Sequence, residues 1–288
     1  MAEAKIGIIG GSGLYQMTGI EETWEVELDT PFGPPSAPLV VGRLAGRQVA
    51  FLARHGPGHR YLPSEVPARA NIYALKSLGV ERIVAISAVG SLQEEVHPLD
   101  IVVPDQYVDW TRGRPGTFFG RGIAVHVSFE PPACPHLRAR LHEAGQSAGA
   151  RMHPRGSYIC IEGPAFSTKA ESRIYRQWGL DVIGMTALPE AKLAREAEIC
   201  YATLALVTDY DVWHESEAGV TGEMILDNLR RNTAMAQEII RAVVPLVDGA
   251  RDCPCATALA TAIFTPSAAM PAEERERLGL LLGRYVQE

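Results

Sequence analysis

Apolar residues in this chain come in short uncharged runs separated by polar, glycine-bearing stretches. Ile6-Gly7-Ile8-Ile9-Gly10, Val49-Ala50-Phe51-Leu52-Ala53, Ile83-Val84-Ala85-Ile86, Ile101-Val102-Val103, Tyr158-Ile159-Cys160-Ile161, Val182-Ile183-Gly184-Met185 and Ala202-Thr203-Leu204-Ala205-Leu206-Val207 are too short for helices. Continuous rather than alternating apolarity predicts strands covered on both faces, as in a parallel sheet. Helical spacing falls between them. Over 67–78, Ala70, Ala74, Leu75 and Leu78 share one side and Gly79 gives a stop signal. Further helices are predicted at about 137–149, through Ala191, Leu193, Ala194 and Ala197, and at about 224–247. Strands alternating with helices predict an α/β fold with a mostly parallel sheet. No low-complexity linker or repeat divides the chain, so 1–288 reads as a single domain. From about Asp248 the composition turns Cys-Pro-rich and then Ala-rich. It ends at 271–286 in a predicted amphipathic helix with Pro271 near its first turn, and this C-terminal extension is expected to pack on the same domain or on a neighbour.

Composition narrows the function without naming it. The 288 residues are 47% hydrophobic and 21% charged, enough for a sizeable core. A net charge of −7 without a Lys/Arg run argues against nucleic acid and against an anionic membrane surface as partners. No basic segment followed by a long apolar core opens the chain, and no run approaches membrane-spanning length, so a soluble cytoplasmic protein is expected. Cys134, Cys160 and Cys200 lie singly among apolar neighbours and read as buried thiols. Cys253-Pro254-Cys255 lacks the second pair and the histidines of a zinc site. Free thiols are the expectation there too, with a strained bridge between the two as the alternative.

The candidate chemistry sits where the apolar runs stop. Val207-Thr208-Asp209-Tyr210-Asp211 places two carboxylates at a strand end, where open α/β sheets bind ligands. On a continuing strand Asp209 and Asp211 would share a face, and an apolar floor would raise a carboxyl pKa toward proton donation near neutral pH. An acidic loop capping the next helix is the other reading. Gly10-Gly11-Ser12-Gly13 offers backbone N–H groups and a hydroxyl to an anion, yet fits neither the dinucleotide fingerprint nor the P-loop, and a plain tight turn reads equally well. Arg54-His55 adds a cation able to grip phosphate bidentately with a second donor beside it. Ser87-Ala88 and Thr186 add two hydroxyls and an amide. Each alone is ordinary strand-end polarity; together they would cradle a doubly charged oxyanion.

These residues also carry a resemblance. Gly10-Gly11-Ser12-Gly13-Leu14, Arg54-His55-Gly56, Ala88-Val89-Gly90-Ser91-Leu92, Ile161-Glu162-Gly163-Pro164-Ala165-Phe166-Ser167, Gly184-Met185-Thr186, Pro189-Glu190-Ala191 and Thr208-Asp209-Tyr210-Asp211 resemble the trimeric nucleoside phosphorylases. Within them the chain is most similar to the S-methyl-5′-thioadenosine phosphorylases, from about Lys5 to Val247, and the tail resembles extensions of bacterial and archaeal members. The resemblance implies a distorted mixed sheet flanked by helices and a homotrimer, or a dimer of trimers, with sites near subunit contacts. It implies phosphate on Ser12, Arg54, His55, Ser87, Ala88 and Thr186, Met185 under the ribose, Phe166 near the purine, and Asp209, Tyr210 and Asp211 facing the base. His126 would reach the 5′ substituent from a neighbouring subunit and His59 would lie near that end; surface or core histidine is the alternative for both. Ser167 and Gly222 are specificity positions.

Phosphorolysis breaks a C–N bond through a cationic sugar, with phosphate held opposite the base. Adenine leaves poorly unless N7 is protonated, and Asp209 is the expected acid with Asp211 holding or tuning it. Carboxylates also accept from an exocyclic 6-amino group and oppose a 6-oxo group. Inorganic phosphate is a co-substrate; no metal or organic cofactor is expected. Ser12 and Ser87 stand where many members have threonine, and Gly222 where many have a bulkier apolar residue. Gly222 opens a broader purine nucleoside phosphorylase acting on adenosine, inosine or guanosine as the alternative. A silent nucleoside-binding protein is a remoter one, since a pure binder needs no acid beside the base.

Overall fold

Ile6–Gly10 (β1) has no polar side chain to offer water on either face, so it can only be a central strand. In the computed structural model, which describes residues 4–11, 14, 17–214, 222–247 and 249–286 (side chains of 222–225 excepted), it lies between two parallel neighbours. Ile6 faces Val49 of β4 (Arg47–Ala53) on one side and Arg82 of β5 (Arg82–Ser91) on the other. Beyond β4 lie β3 (Leu39–Leu44) and the edge strand β2 (Glu21–Val26), both antiparallel. On the far side β5 pairs in parallel with β11 (Cys200–Asp209), which joins β6 (Ile101–Val102) and then β8 (Met152–His153). On the edge of β5 that β1 occupies as far as Ala85, Gly90 and Ser91 meet β10 (Val182–Gly184) antiparallel, followed by β9 (Ser157–Ile161) and β7 (Gln106–Trp110). The result is one distorted mixed sheet of eleven strands, as the resemblance implied.

Helices α1 (Ala68–Ser77), α2 (Pro135–Ser147), α3 (Lys169–Gln177), α4 (Ala187–Glu196) and α5 (Gly222–Val243) flank it. Four expectations need correction. The third apolar run does not stop at Ile86; β5 continues to Ser91, so Ser87 and Ala88 lie inside a strand where it passes from one half of the sheet to the other. The single helix expected over 271–286 is two short ones, α6 (Ala272–Arg277) and α7 (Gly279–Leu282), whose Leu278, Leu281 and Leu282 are buried. The helix expected to 247 gives way to a 3₁₀ turn at Val244–Val247. And α3, absent from the periodicity reading, is announced by a capping box: Thr168 accepts from the Glu171 N–H while the Glu171 carboxylate accepts from the Thr168 N–H.

Two glycines let the halves of the sheet approach. A Cβ at Gly90 would lie 3.2 Å from Asp209 Oδ1 and 3.3 Å from Asp211 Cβ, and one at Gly184 would lie 2.0 Å from the Tyr158 hydroxyl. The ends of β4, β5, β10 and β11 therefore converge on one crevice, the place where such sheets bind ligands.

Candidate active site

One wall of the crevice is built around a buried cation. Arg54, just past β4, is 1% exposed. Its Nε–H and an Nη2–H donate to Glu190 Oε1 and Oε2 at 2.5 and 3.0 Å, and an Nη1–H donates to the Ile86 carbonyl at 2.7 Å. Tyr201 also donates to Glu190 Oε2, at 3.0 Å. Burial opposes the charge on Arg54, but Glu190 outweighs it and holds the guanidinium above its ordinary pKa. Three of its five N–H groups are engaged among the described residues, leaving two for an anion. Arg54, Thr186 and Glu190 also line a cleft of about 120 Å³ with Phe32, Pro67 and Arg114.

His55 is not the second donor expected beside Arg54. Its Nδ1 lies 2.9 Å from the Tyr61 carbonyl, which can only accept, so Nδ1 carries the proton. Burial, the charge of Arg54 and the His59 ring stacked at 4.2 Å lower its pKa to about 4, so near neutral pH Nε2 is an acceptor. Ser87, by contrast, sits in a hydroxyl relay: its Oγ is 2.9 Å from Tyr158 Oη and 3.0 Å from Thr186 Oγ1. The Thr186 N–H points at Tyr158 Oη at 3.4 Å. In the ordering where Tyr158 donates to Ser87 and Ser87 to Thr186, the Thr186 O–H is free to turn to an anion. Ala88 is half-buried in β5 next to Ser87, and Ser12 lies outside the described residues.

The other wall carries the acids. The registers of β11 and β5 slip between Val207 and Asp209, so Thr208 and Asp209 together oppose Gly90. This β-bulge brings Asp209 into the crevice. The Thr208 hydroxyl is 2.6 Å from Asp209 Oδ2 and 3.2 Å from the Val89 carbonyl, and its one proton serves one of them at a time. The strand ends at Asp209, so Asp211 comes not from a shared strand face but from the turn at 211–213. That turn is held by the Trp213 indole N–H on the Ser91 carbonyl at 2.7 Å. Burial is the main reason the Asp211 carboxyl lies above its ordinary pKa, and its Oδ2 is buried without a hydrogen-bond partner among the described residues. Of the two acids, Asp211 is thus the one whose environment is shown to favour the proton.

The model of the phosphorylase superfamily matches residues 5–245. The chain belongs to this superfamily. Its relatives include proteins named S-methyl-5′-thioadenosine phosphorylase from Geobacter sulfurreducens (55% identical, covering 99% of this chain and 100% of the relative) and Synechocystis sp. (56%, 99% and 89%). A solved methylthioadenosine phosphorylase from an Antarctic soil metagenomic library superposes with a TM-score of 0.94 at 52% identity over 98% of this chain and all of the other. A variant of the adenosine/methylthioadenosine phosphorylase of Schistosoma mansoni, solved with methylthioadenosine, follows at 0.80 and 37% identity, covering 86% of this chain and 93% of the other.

Some of the expected phosphorylase residues stand apart from the crevice within one chain. Phe166 is 82% exposed on the loop after β9. His126 is exposed, its ring edge-on to Phe264 at 5.0 Å and its N–H on the Ala262 carbonyl of the tail. Gly222 opens α5, and no more of it is described. Met185 is half-buried against the small apolar cluster of Leu92, Ile161 and Ile183. Its carbonyl accepts from Arg114 at 2.7 Å, and Arg114 also holds the Leu188 and Glu162 carbonyls at 3.1 and 2.5 Å. Ser167 Oγ is buried without a hydrogen-bond partner among the described residues, and Tyr210 stacks on His214 at 4.5 Å. Sequence reasoning gave no role to Glu190, Tyr158, Arg114 or Thr208. A lone carboxylate in the apolar stretch Ala187-Leu188-Pro189-Glu190-Ala191 was a usable signal, because a buried charge needs a partner. Tyr158 and Thr208 gave no such sign.

Proposed function

We propose that the chain cleaves the N-glycosidic bond of S-methyl-5′-thioadenosine with inorganic phosphate, giving adenine and 5-methylthioribose 1-phosphate for purine and methionine salvage. The observation that carries this reading is the pairing, across one crevice, of an oriented donor set with two carboxyls. On the donor side the free N–H groups of Arg54, the Ser87–Thr186 hydroxyls, the Ala88 amide and Ser12 hold phosphate opposite the base, and His55 Nε2 accepts from the remaining O–H of hydrogen phosphate. Because Glu190 already neutralises Arg54, the attraction comes from fixed N–H and O–H groups more than from a bare cation. Phosphate held there stabilises the cationic sugar and then bonds to its anomeric carbon, while the C–N electron pair leaves with the base. Asp209 or Asp211 supplies the proton that N7 takes up, and the other accepts from the 6-amino group. Neither a metal nor an organic cofactor enters these steps.

We infer a homotrimer, a reading supported by Phe166 and Phe264, 82% and 68% exposed, and by Trp110 and Trp178, about half exposed, which a neighbouring subunit would cover. In such an assembly Phe166 and His126 complete sites with a neighbour. A cytoplasmic setting follows from the proposed substrate; among the described residues no helix is long and apolar enough to cross a membrane. Cleavage of adenosine alongside methylthioadenosine is the second activity expected, since Gly222 offers no side chain to a 5′-methylthio group.

The test is release of free base from methylthioadenosine, adenosine and inosine with and without phosphate. Phosphate-dependent release in that order of preference is expected. Equal release without phosphate would make the chain a hydrolase, and a preference for inosine would replace this reading with the broader phosphorylase.

A further inference from the structure

Four of the five cysteines meet at one point, far from the crevice. Cys134 stands at the N-cap of α2, Cys200 opens β11, and Cys253 and Cys255 flank Pro254 in a 3₁₀ turn of the tail. Cys134 and Cys200, buried free thiols as expected, thus supply the second pair that Cys253 and Cys255 lacked in sequence. All four are buried free thiols, and their sulfurs lie within 4.8 Å of one another, with Cys200 and Cys253 at 3.3 Å. Zinc with sulfur at about 2.3 Å in a tetrahedron sets its four ligands about 3.8 Å apart, close to this spacing. The Leu137 N–H in the first turn of α2 points at Cys134 Sγ, and Arg138 lies one residue further along the same turn.

We propose that Cys134, Cys200, Cys253 and Cys255 bind one Zn²⁺ as a closed structural centre. Zn²⁺ displaces four thiol protons to solvent and leaves a tetrathiolate of charge minus two, with no change of oxidation state and no oxidant. Four sulfur ligands leave no open coordination position, so the centre staples rather than catalyses. It ties the tail to the start of β11, the end opposite Asp209 and about 30 Å away along ten residues of strand. The inference is thus independent of the phosphorylase chemistry.

Metal content and thiol count of the full-length protein, purified from zinc-supplemented cells, decide the matter. About one zinc per chain is expected, with five thiols titrating in denaturant plus chelator, Cys160 being the fifth. Stripping the zinc should lower Tm, and Zn²⁺ should restore it. Co²⁺ in its place should give the charge-transfer absorption and visible bands of a tetrahedral thiolate site. Cys253→Ser with Cys255→Ser should reduce zinc to background. Should that double variant not fold, the wild-type measurements still decide. Metal-free protein with one thiol, lighter by two hydrogens for each of two bridges, would replace the zinc centre with disulfides. Metal-free protein with five thiols would overturn it outright.

Discussion

The two walls of the crevice are finished to different degrees. On the phosphate side, Arg54 and Glu190 satisfy each other with two hydrogen bonds, and Ile86 and Tyr201 fix both ends. On the base side, Asp211 keeps a buried oxygen without a hydrogen-bond partner among the described residues, and the Thr208 hydroxyl lies 2.6 Å from Asp209 Oδ2. The first arrangement is one in which an inorganic anion meets donors already in place. The second leaves acceptor capacity for the N–H groups of a purine. Stability should therefore depend more on the first wall and proton transfer on the second, and substitutions can separate the two.

The largest effect is expected from Glu190→Ala. It strands a fully buried guanidinium and should destabilise the fold by about 3–5 kcal/mol in chemical denaturation. A loss under 1 kcal/mol would mean that water or another anion reaches Arg54 and that the wall is not dry. Asp209→Asn and Asp211→Asn should do the reverse. Each should lower kcat on methylthioadenosine by about a hundredfold or more, with Tm nearly unchanged. The variant that also abolishes the alkaline limb of the pH–kcat profile, where a general acid loses its proton, identifies the proton donor. If both unfold the protein instead, the division between the walls fails.

A smaller effect should appear in pH dependence. The unfolded chain protonates its histidine near pH 6.5 whereas folded His55 resists until about 4, so stability is complete above about 6.5 and falls as pH drops toward 4. The slope from this group is at most about 1.4 kcal/mol per pH unit, and His55→Gln should remove it when the two proteins are compared between about pH 7 and 5. Identical slopes would mean that the ring is protonated in the fold. Smallest of all, Gly222→Val should raise the preference for methylthioadenosine over adenosine several-fold, worth about 1 kcal/mol. An unchanged ratio in folded protein would remove Gly222 from the site.

The buried strands were legible because apolar runs without alternation have one structural use. The exposed edge strand β2 was not, since Glu21-Glu22-Thr23-Trp24-Glu25 buries almost nothing and its pairing is set by its neighbour β3. At the site, the strand-end residues could be named but not their state. Arg54 was expected as a cation gripping phosphate and proves already ion-paired with Glu190; His55 was expected to donate and is poised to accept. Such facts depend on partners distant in sequence, Glu190 for one and the Tyr61 carbonyl for the other, and no local pattern announces them. The bulge at Thr208 was equally hidden, because an extra residue in one strand shows only against the other. The four cysteines make the same point at larger scale: they are spread over some 120 positions and meet only through the fold.

The tail holds 124–126 largely through main-chain atoms, with the Thr265 hydroxyl accepting from the Ala124 N–H at 2.8 Å. Phe264 N–H donates to the Ala124 carbonyl and His126 N–H to the Ala262 carbonyl, both at 2.9 Å. Grips of this kind do not depend on side-chain identity. The segment 262–264 can change its exposed side chain at Phe264 and keep both bonds, whereas Ala262, 3% exposed, has to stay small. What it must keep is its length and an amide hydrogen at position 264, so a proline there would do what few other replacements could.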